Sequence, residues 1–163
     1  MSKHFSEYPD SFPSHSRSSA RQFLIRSDCF SSPAGVSGLK RMRVLATLPA
    51  EGISVFVGSH QSLDRDAQSI CRPVYSFSDE ELPAIPTGRI FIQGANDMSL
   101  AEILAPLKYE VESVPPYAPN AAWIVASDRT IASALSNLET LMTIPGIESV
   151  EPQMLRPAAF RGE

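Results

Sequence analysis

The sequence predicts an α+β protein, with antiparallel sheets carrying helices on one face, built from two tandem copies of one β-α-β-β-α-β order. Three observations predict it. The two halves of the chain repeat strand-like segments in the same order. Several of those segments alternate apolar and polar residues with a period of two. Between them lie stretches with apolar residues at helical spacing.

The repeat is weak in identity but regular in spacing. "FLIRS" (Phe23 to Ser27) matches "IFIQG" (Ile90 to Gly94), and "RVLATLP" (Arg43 to Pro49) matches "EVESVPP" (Glu110 to Pro116). "ISVFVGSH" (Ile53 to His60) matches "AAWIVASD" (Ala121 to Asp128), and "ICRPVY" (Ile70 to Tyr75) matches "SVEPQM" (Ser149 to Met154).

The second copy reads element by element. "GRIFIQG" alternates and is rich in β-formers, so it is a strand. Ser99 with Glu102 three residues on forms a capping box for a helix whose face is Leu100, Ile103, Leu104 and Leu107. Pro106 ends or kinks that helix. "YEVESVP" is a second alternating strand, and "PPYAPN" is a turn. "AAWIVAS" is nearly all apolar, which predicts a central, covered strand. Asp128 is the expected cap of a helix from about Arg129 to Thr143, with Ile131, Leu135, Leu138 and Met142 as its buried stripe. "IPG" stops it, and "IESVEPQML" is the last strand. This is the split βαβ of ferredoxin-like domains.

The first copy shows the same order with worn helices. "SSPAGVSGL", with Pro33, Gly35 and Gly38, is a poor helix, and "QSLDRDAQ" allows only a short one. The expected layout is therefore a disordered leader over 1–19 and a degenerate N-terminal ferredoxin-like subdomain over 20–76. A linker over 77–87, an inhibitor-like subdomain over 88–155 and a C-terminal tail over 156–163 follow. An address or docking tag is the alternative for the leader.

Bulk properties exclude several function classes. The chain has 163 residues, 43% of them apolar, enough for a folded core. A net charge of -4 argues against nucleic acid, which needs a basic footprint. No apolar run approaches the roughly 20 residues of a membrane span. The polar, Ser-rich N-terminus lacks the apolar core of a secretory signal, so the cytoplasm is the expected location. Cys29 and Cys71 have no metal-ligand spacing and read as a reduced pair packed as small apolar groups.

Chemistry is hard to find. Of the histidines His4, His15 and His60, two lie in the expected leader and one in a turn. No serine stands in a G-x-S-x-G elbow, and no glycine-rich phosphate loop opens a helix. Glu80 and Glu81 are adjacent acids in the expected linker and read as solvated charge. The expectation is a non-enzyme without metal or cofactor. Phe91 and Trp123 lie on expected strands, where helix-packed core is preferred over an RNA-binding sheet face.

"GRIFIQGANDMSLAEILAPL", "VESVPPYAPNAAWIVAS" and above all "MTIPGIESVEPQML" carry a resemblance. Over Pro86 to about Phe160, slightly under half the chain, they resemble the propeptide inhibitor domain of subtilisin-like serine proteases. The resemblance implies a folding chaperone and inhibitor in a heterodimer with such a protease. The open sheet face would pack on two enzyme helices, and the C-terminal tail would enter the substrate cleft as an added strand. A carboxylate after the last strand would cap the N-termini of the enzyme helices.

Position by position, the family's "VE" falls on Val150-Glu151. Glu151 is then the helix-capping anion, with Glu148 as second choice; the alternative is a solvated surface glutamate. Pro152-Gln153 stand where the family often has another acid. Phe160, or else Ala159, would precede the scissile position, with Ala159, Ala158 and Pro157 in the next subsites. The alternative is a frayed terminus without fixed contacts. No subtilase catalytic motif follows in this chain, which is read either as an excised propeptide or as a free-standing inhibitor acting in trans; the polar leader without a secretion signal makes the second the expectation. The second expectation, of a different class, is a regulatory or assembly module whose tandem copies bind a small ligand or self-associate.

Overall fold

A computed structural model describes residues 5–16, 19–33, 35–36, 38–77, 83–95 and 99–157. In chain order its first elements are strands β1 (Ser11–Ser16), β2 (Ser19–Ile25) and β3 (Cys29–Pro33), and a single 3-10 turn at Leu39–Arg41. Strands β4 (Val44–Leu48) and β5 (Ile53–Val57), a 3-10 turn at His60–Ser62, helix α1 (Arg65–Ile70) and strand β6 (Tyr75–Ser76) follow. Then come β7 (Ile85–Gly94), α2 (Leu100–Leu104), a 3-10 turn at Ala105–Leu107, β8 (Tyr109–Ser113) and β9 (Ala121–Ala126). Helices α3 (Ile131–Ser136) and α4 (Leu138–Met142) and strand β10 (Ile147–Leu155) complete it.

The class is α+β. A seven-stranded antiparallel sheet has the order β6-β2-β1-β10-β7-β9-β8, and a three-stranded sheet the order β3-β5-β4. Two compact units divide the chain. One comprises 1–6, 24–85 and 154–163; the other comprises 7–23 and 86–153. For brevity they are the N-unit and the C-unit. They are not sequential halves, because β1 pairs with β10, His15 opposite Val150, and so joins the C-unit.

This corrects part of the disordered leader expected over 1–19, of which 1–4 and 17–18 lie outside the described residues. Residues Ser11–Ser16 form β1, and Phe12 is fully buried with its ring stacked on Phe23 at 5.1 Å. A polar segment becomes a strand here because a neighbouring strand supplies the ladder. The expected linker also holds structure: β7 begins at Ile85, and Ala84 bridges Tyr75.

In the C-unit, β9 lies between β7 and β8, as its apolar sequence predicts. Its partners set the faces: Ile90 lies opposite Ile124, Phe91 opposite Trp123 and Ile92 opposite Ala122. Two contacts show which face carries α3. A side chain at Gly88 (φ 91°) would point at Ile131 of α3, 3.3 Å away. Tyr109, paired with Ala126, donates its hydroxyl to the Ala134 carbonyl of α3. Since side chains alternate along a strand, Ile90, Ile92, Ala122 and Ile124 face α3, and all four are fully buried. Edge strand β8 is fenced by charge: Glu112 pairs with Arg89 at 2.7 Å and Glu110 with Arg129 at 2.9 Å.

The single helix expected from Arg129 to Thr143 is two short ones. Arg129 takes a left-handed conformation (φ 64°) and cannot start a helix. Thr130 is the cap instead, accepting from Ser133 N at 3.2 Å. Asp128 braces that cap, accepting from Thr130 N, Thr130 Oγ1 and Ser133 Oγ. The Ser133 hydroxyl, followed by the Thr130 groups, holds its carboxyl below the usual carboxylate range. Asn137 (φ -112°, ψ 14°) breaks the helix between α3 and α4. Ser99 sits at the start of α2 as expected, yet its side chain makes no capping bond.

The N-unit keeps β4, β5 and the short α1 where the sequence places them. "FLIRS" contributes to β2, whose Leu24 and Ile25 pair with Ser76 and Tyr75 of β6. The strand beside β5 is β3, which the sequence reading did not anticipate. Ser31 and Ser32 inside β3 are buried, and Ser31 Oγ donates to the Arg72 carbonyl at 3.1 Å. Buried hydroxyls that satisfy themselves on backbone carbonyls leave no apolar signature. One cluster, with Phe30, Leu39, Phe56 and Leu63, packs under the 3-10 turns and α1. Another gathers Cys29, Leu48, Val55, Val74 and Ile85.

Candidate protein-docking surface and a second concavity

The sequence-predicted site residues divide into described and undescribed groups. Ala158, Ala159 and Phe160 lie outside the described residues. Pro157 is described and is buried, so it does not dangle. Just before it, Leu155 packs against the cluster of Cys29, Leu48, Val55, Val74 and Ile85. The Arg156 guanidinium lies over the Phe77 ring at 5.4 Å. The start of the tail is thus held by its own chain, and Pro157 would have to leave its place to enter a foreign cleft. That corrects the expectation that the whole tail projects freely.

Glu148 and Glu151 are half-buried and lie within β10, not beyond it. Strand β10 is interior, flanked by β1 and β7. The carboxylate expected after the last strand therefore falls on positions inside that strand. Gln153, farther along β10, is tied to β7 by an Oε1 that accepts from Thr87 Oγ1 at 2.9 Å.

The structure instead brings together residues that the sequence reading assigned to core. Phe91 and Trp123 face away from α3 by the alternation described above. Their rings meet edge to face at 5.2 Å, and both side chains are half-buried. The Arg89 guanidinium lies over the Trp123 ring at 4.6 Å while its Nε meets the Glu112 carboxylate at 2.7 Å. The guanidinium thus lies between an aromatic face and a carboxylate, and the close approach of Nε to Glu112 is an ion-pair contact without hydrogen-bond geometry. The hairpin that joins β8 to β9 adds exposed Val114 and Tyr117, the latter 82% exposed. A turn with Ala118 N donating to the Pro115 carbonyl at 3.1 Å holds Tyr117 out. "AAWIVA" hid this face because a run without polar residues shows no alternation; the opposed pairing with "RIFIQ" was the only signal that could have found it.

A concavity lies in the N-unit. It is open, of ≈ 1140 Å³, and lined by Leu39, Lys40, Arg41, Val44, Phe56 and Leu63 among others. Lys40 and Arg41 are exposed, and among the described residues neither forms an ion pair. Asp64 also lines it, but its carboxylate accepts from Ala67 N at 2.8 Å as the cap of α1.

Reactive chemistry is not assembled at either place. Cys29 and Cys71 are both free and buried. Burial, with the nearby Asp28 charge second, pushes the Cys29 thiol up to about 12, and burial raises Cys71 as well. Both thiols are therefore protonated and poor nucleophiles at neutral pH. Among the described residues no group of three or more His, Cys, Asp or Glu side chains is arranged to hold a metal ion. Nor, among those residues, is any helix long and apolar enough to cross a membrane.

The fold and these surfaces define an α+β protein with an aromatic sheet face in one unit and an apolar, cation-rimmed concavity in the other. Compared with models of protein families, with curated proteins and with solved structures, the chain matches none.

Proposed function

We propose that the chain is a non-catalytic inhibitor, and folding chaperone, of a subtilisin-like serine protease in the cytoplasm. The C-unit is its docking module. The observation that carries this reading is the Arg89, Phe91 and Trp123 surface on the sheet face away from α3. Aromatic residues and arginine are the residue types that dominate protein-binding hot spots. The order β10-β7-β9-β8, with α2 between β7 and β8 and α3 and α4 between β9 and β10, supports a ferredoxin-like reading of this unit. In that arrangement a helix-free sheet face is what packs on the helices of the partner. A standard interface of about 800 Å² on each side is expected.

The test is an inhibition assay with a subtilisin-like protease and a chromogenic peptide. Trp123→Ala is expected to raise the inhibition constant by roughly 30-fold or more, the cost of losing one hot-spot side chain. Far-UV circular dichroism checks that the variant folds. A chain ending at Pro157 reports separately on Ala158 to Phe160, and equal potency removes the tail from the interface. No inhibition at micromolar concentrations, together with a stable homodimer in solution, would replace this reading with a self-associating module.

A further inference from the structure

We propose that the concavity of the N-unit binds an amphipathic anion, an aliphatic chain that ends in a carboxylate. This inference does not depend on the protease reading, since none of the lining residues belongs to the C-unit.

The concavity has a cause in the sequence. The connection between β7 and β8 contains α2 and a 3-10 turn, and it buries Leu100 and Leu104. Among its described residues, the connection between β3 and β4 has the 3-10 turn Leu39–Arg41 as its one helical element, and it buries Leu39. Gly35 and Gly38 in that stretch have φ of 84° and 89°, a left-handed backbone that no helix tolerates. With so short a cover, the sheet surface around Val44, Ser54 and Phe56 stays open, and Val44 is 50% exposed.

Its chemistry selects the ligand. The floor is apolar, made by Leu39, Phe56 and Leu63, so it takes a hydrocarbon body. A closer packing at Gly38 would change it, because a side chain there would meet Leu63 Cδ2 at 3.1 Å. The rim offers the Lys40 ammonium and the Arg41 guanidinium, both uncommitted among the described residues. The one lining acid, Asp64, is occupied as a helix cap. Two lining cations stand against the one carboxylate of Asp64, whose Oδ1 already accepts from Ala67 N, so the balance of charge favours an anionic head, and a carboxylate gains charge-assisted hydrogen bonds from Lys40 and Arg41. A volume of ≈ 1140 Å³ lies a little above the usual range of small-molecule sites and leaves room for a flexible chain.

The experiment uses the full chain and three probes that share one tail and remain below their micelle concentrations. Dodecanoate, dodecanol and dodecyltrimethylammonium are titrated by calorimetry. Dodecanoate is expected to bind saturably at one site, with the other two roughly tenfold weaker or more. Combining Lys40→Glu with Arg41→Glu, at two exposed positions, is expected to weaken dodecanoate by a similar factor and leave dodecanol unchanged. Val44→Trp, filling the concavity from an exposed position, is expected to block dodecanoate and dodecanol alike. Thermal melts confirm folding, and Lys40→Gln with Arg41→Gln substitutes if the charge-reversed chain does not fold. Equal affinity for the three head groups, indifference to the Lys40 and Arg41 changes, or unsaturable uptake overturns the proposal.

Discussion

Tyr109→Phe removes one oxygen from the interior of the C-unit, and its consequences can be worked out at two pH values. Tyr109 is 3% exposed, and its hydroxyl donates to the Ala134 carbonyl, tying β8 to α3. Loss of a buried hydrogen bond costs about 1 kcal/mol, and the carbonyl left without its donor adds about as much, so about 2 kcal/mol is expected near pH 8. For a chain of this size that lowers the melting temperature by about 4–8 °C. The phenol supplies a second readout. Burial raises its pKa from the ordinary value of 10.0, against a smaller opposing pull from the Asn137 backbone. A group whose folded pKa is raised stabilises fully below its unfolded pKa and loses that contribution as pH climbs toward the folded one. Above pH 10 the unfolded wild type ionises Tyr109 more readily than the folded form does. By pH 11 this costs the wild type on the order of 1 kcal/mol, a contribution that the phenylalanine variant lacks. The gap between the two proteins should therefore narrow from about 2 kcal/mol at pH 8 to about half that at pH 11. Urea unfolding followed by circular dichroism measures both values. A gap below about 0.5 kcal/mol at pH 8, or one that stays constant to pH 11, refutes the buried tether.

Two further outcomes follow from the same packing. Cys29 and Cys71 should resist iodoacetamide in the native protein at pH 8 and react fully in urea, because burial holds both thiols protonated, Cys29 up to about 12; rapid native labelling seen by mass spectrometry would contradict their placement. Gly88→Ala forces a side chain into a φ of 91° with Ile131 at 3.3 Å, so a loss of about 1–3 kcal/mol is expected in urea unfolding, and a neutral result would mean that β7 and α3 are not so closely packed.

What could be read from the sequence depended on whether apolar patterning decided the structure. Strands β8 and β9 and the start of α2 were legible, because "YEVES" alternates, "AAWIVA" is continuous and Ser99 precedes a helical face. β1 and β3 were not. "SFPSHS" is a strand because it lies against β10, and "CFSSP" because its serines bond to carbonyl groups, and neither cause leaves a periodic mark. The helix break at Asn137 was hidden for the opposite reason: Ile131, Leu135, Leu138 and Met142 keep helical spacing across it. The same limit governs the surfaces. Which side Trp123 takes is settled by its pairing with Phe91, a long-range fact, so residues read as helix-packed core lie on the sheet face away from α3. Pro157, read as a free tail, is buried beyond a strand whose end, Leu155, is claimed by a cluster remote in sequence.

The two units present different surfaces because different connections precede their β-hairpins. Each carries a strand, a connection and a β-hairpin, yet the connections differ in what they can cover. Leu100 to Leu104 can be helical, so that stretch lays Leu100 and Leu104 into the core of the C-unit. Pro33, Gly35 and Gly38 prevent the corresponding stretch of the N-unit from doing so, and a loop buries less apolar area per residue than a helix with a continuous face. The cost of that lost burial falls on the sheet, where Val44 stays 50% exposed beside Lys40 and Arg41. Gly35 and Gly38, which keep that stretch from forming a helix, are therefore among the residues that line the concavity. A flat aromatic face beside a guanidinium suits the broad surface of a protein, whereas an apolar hollow lined by Lys40 and Arg41 suits a small anion.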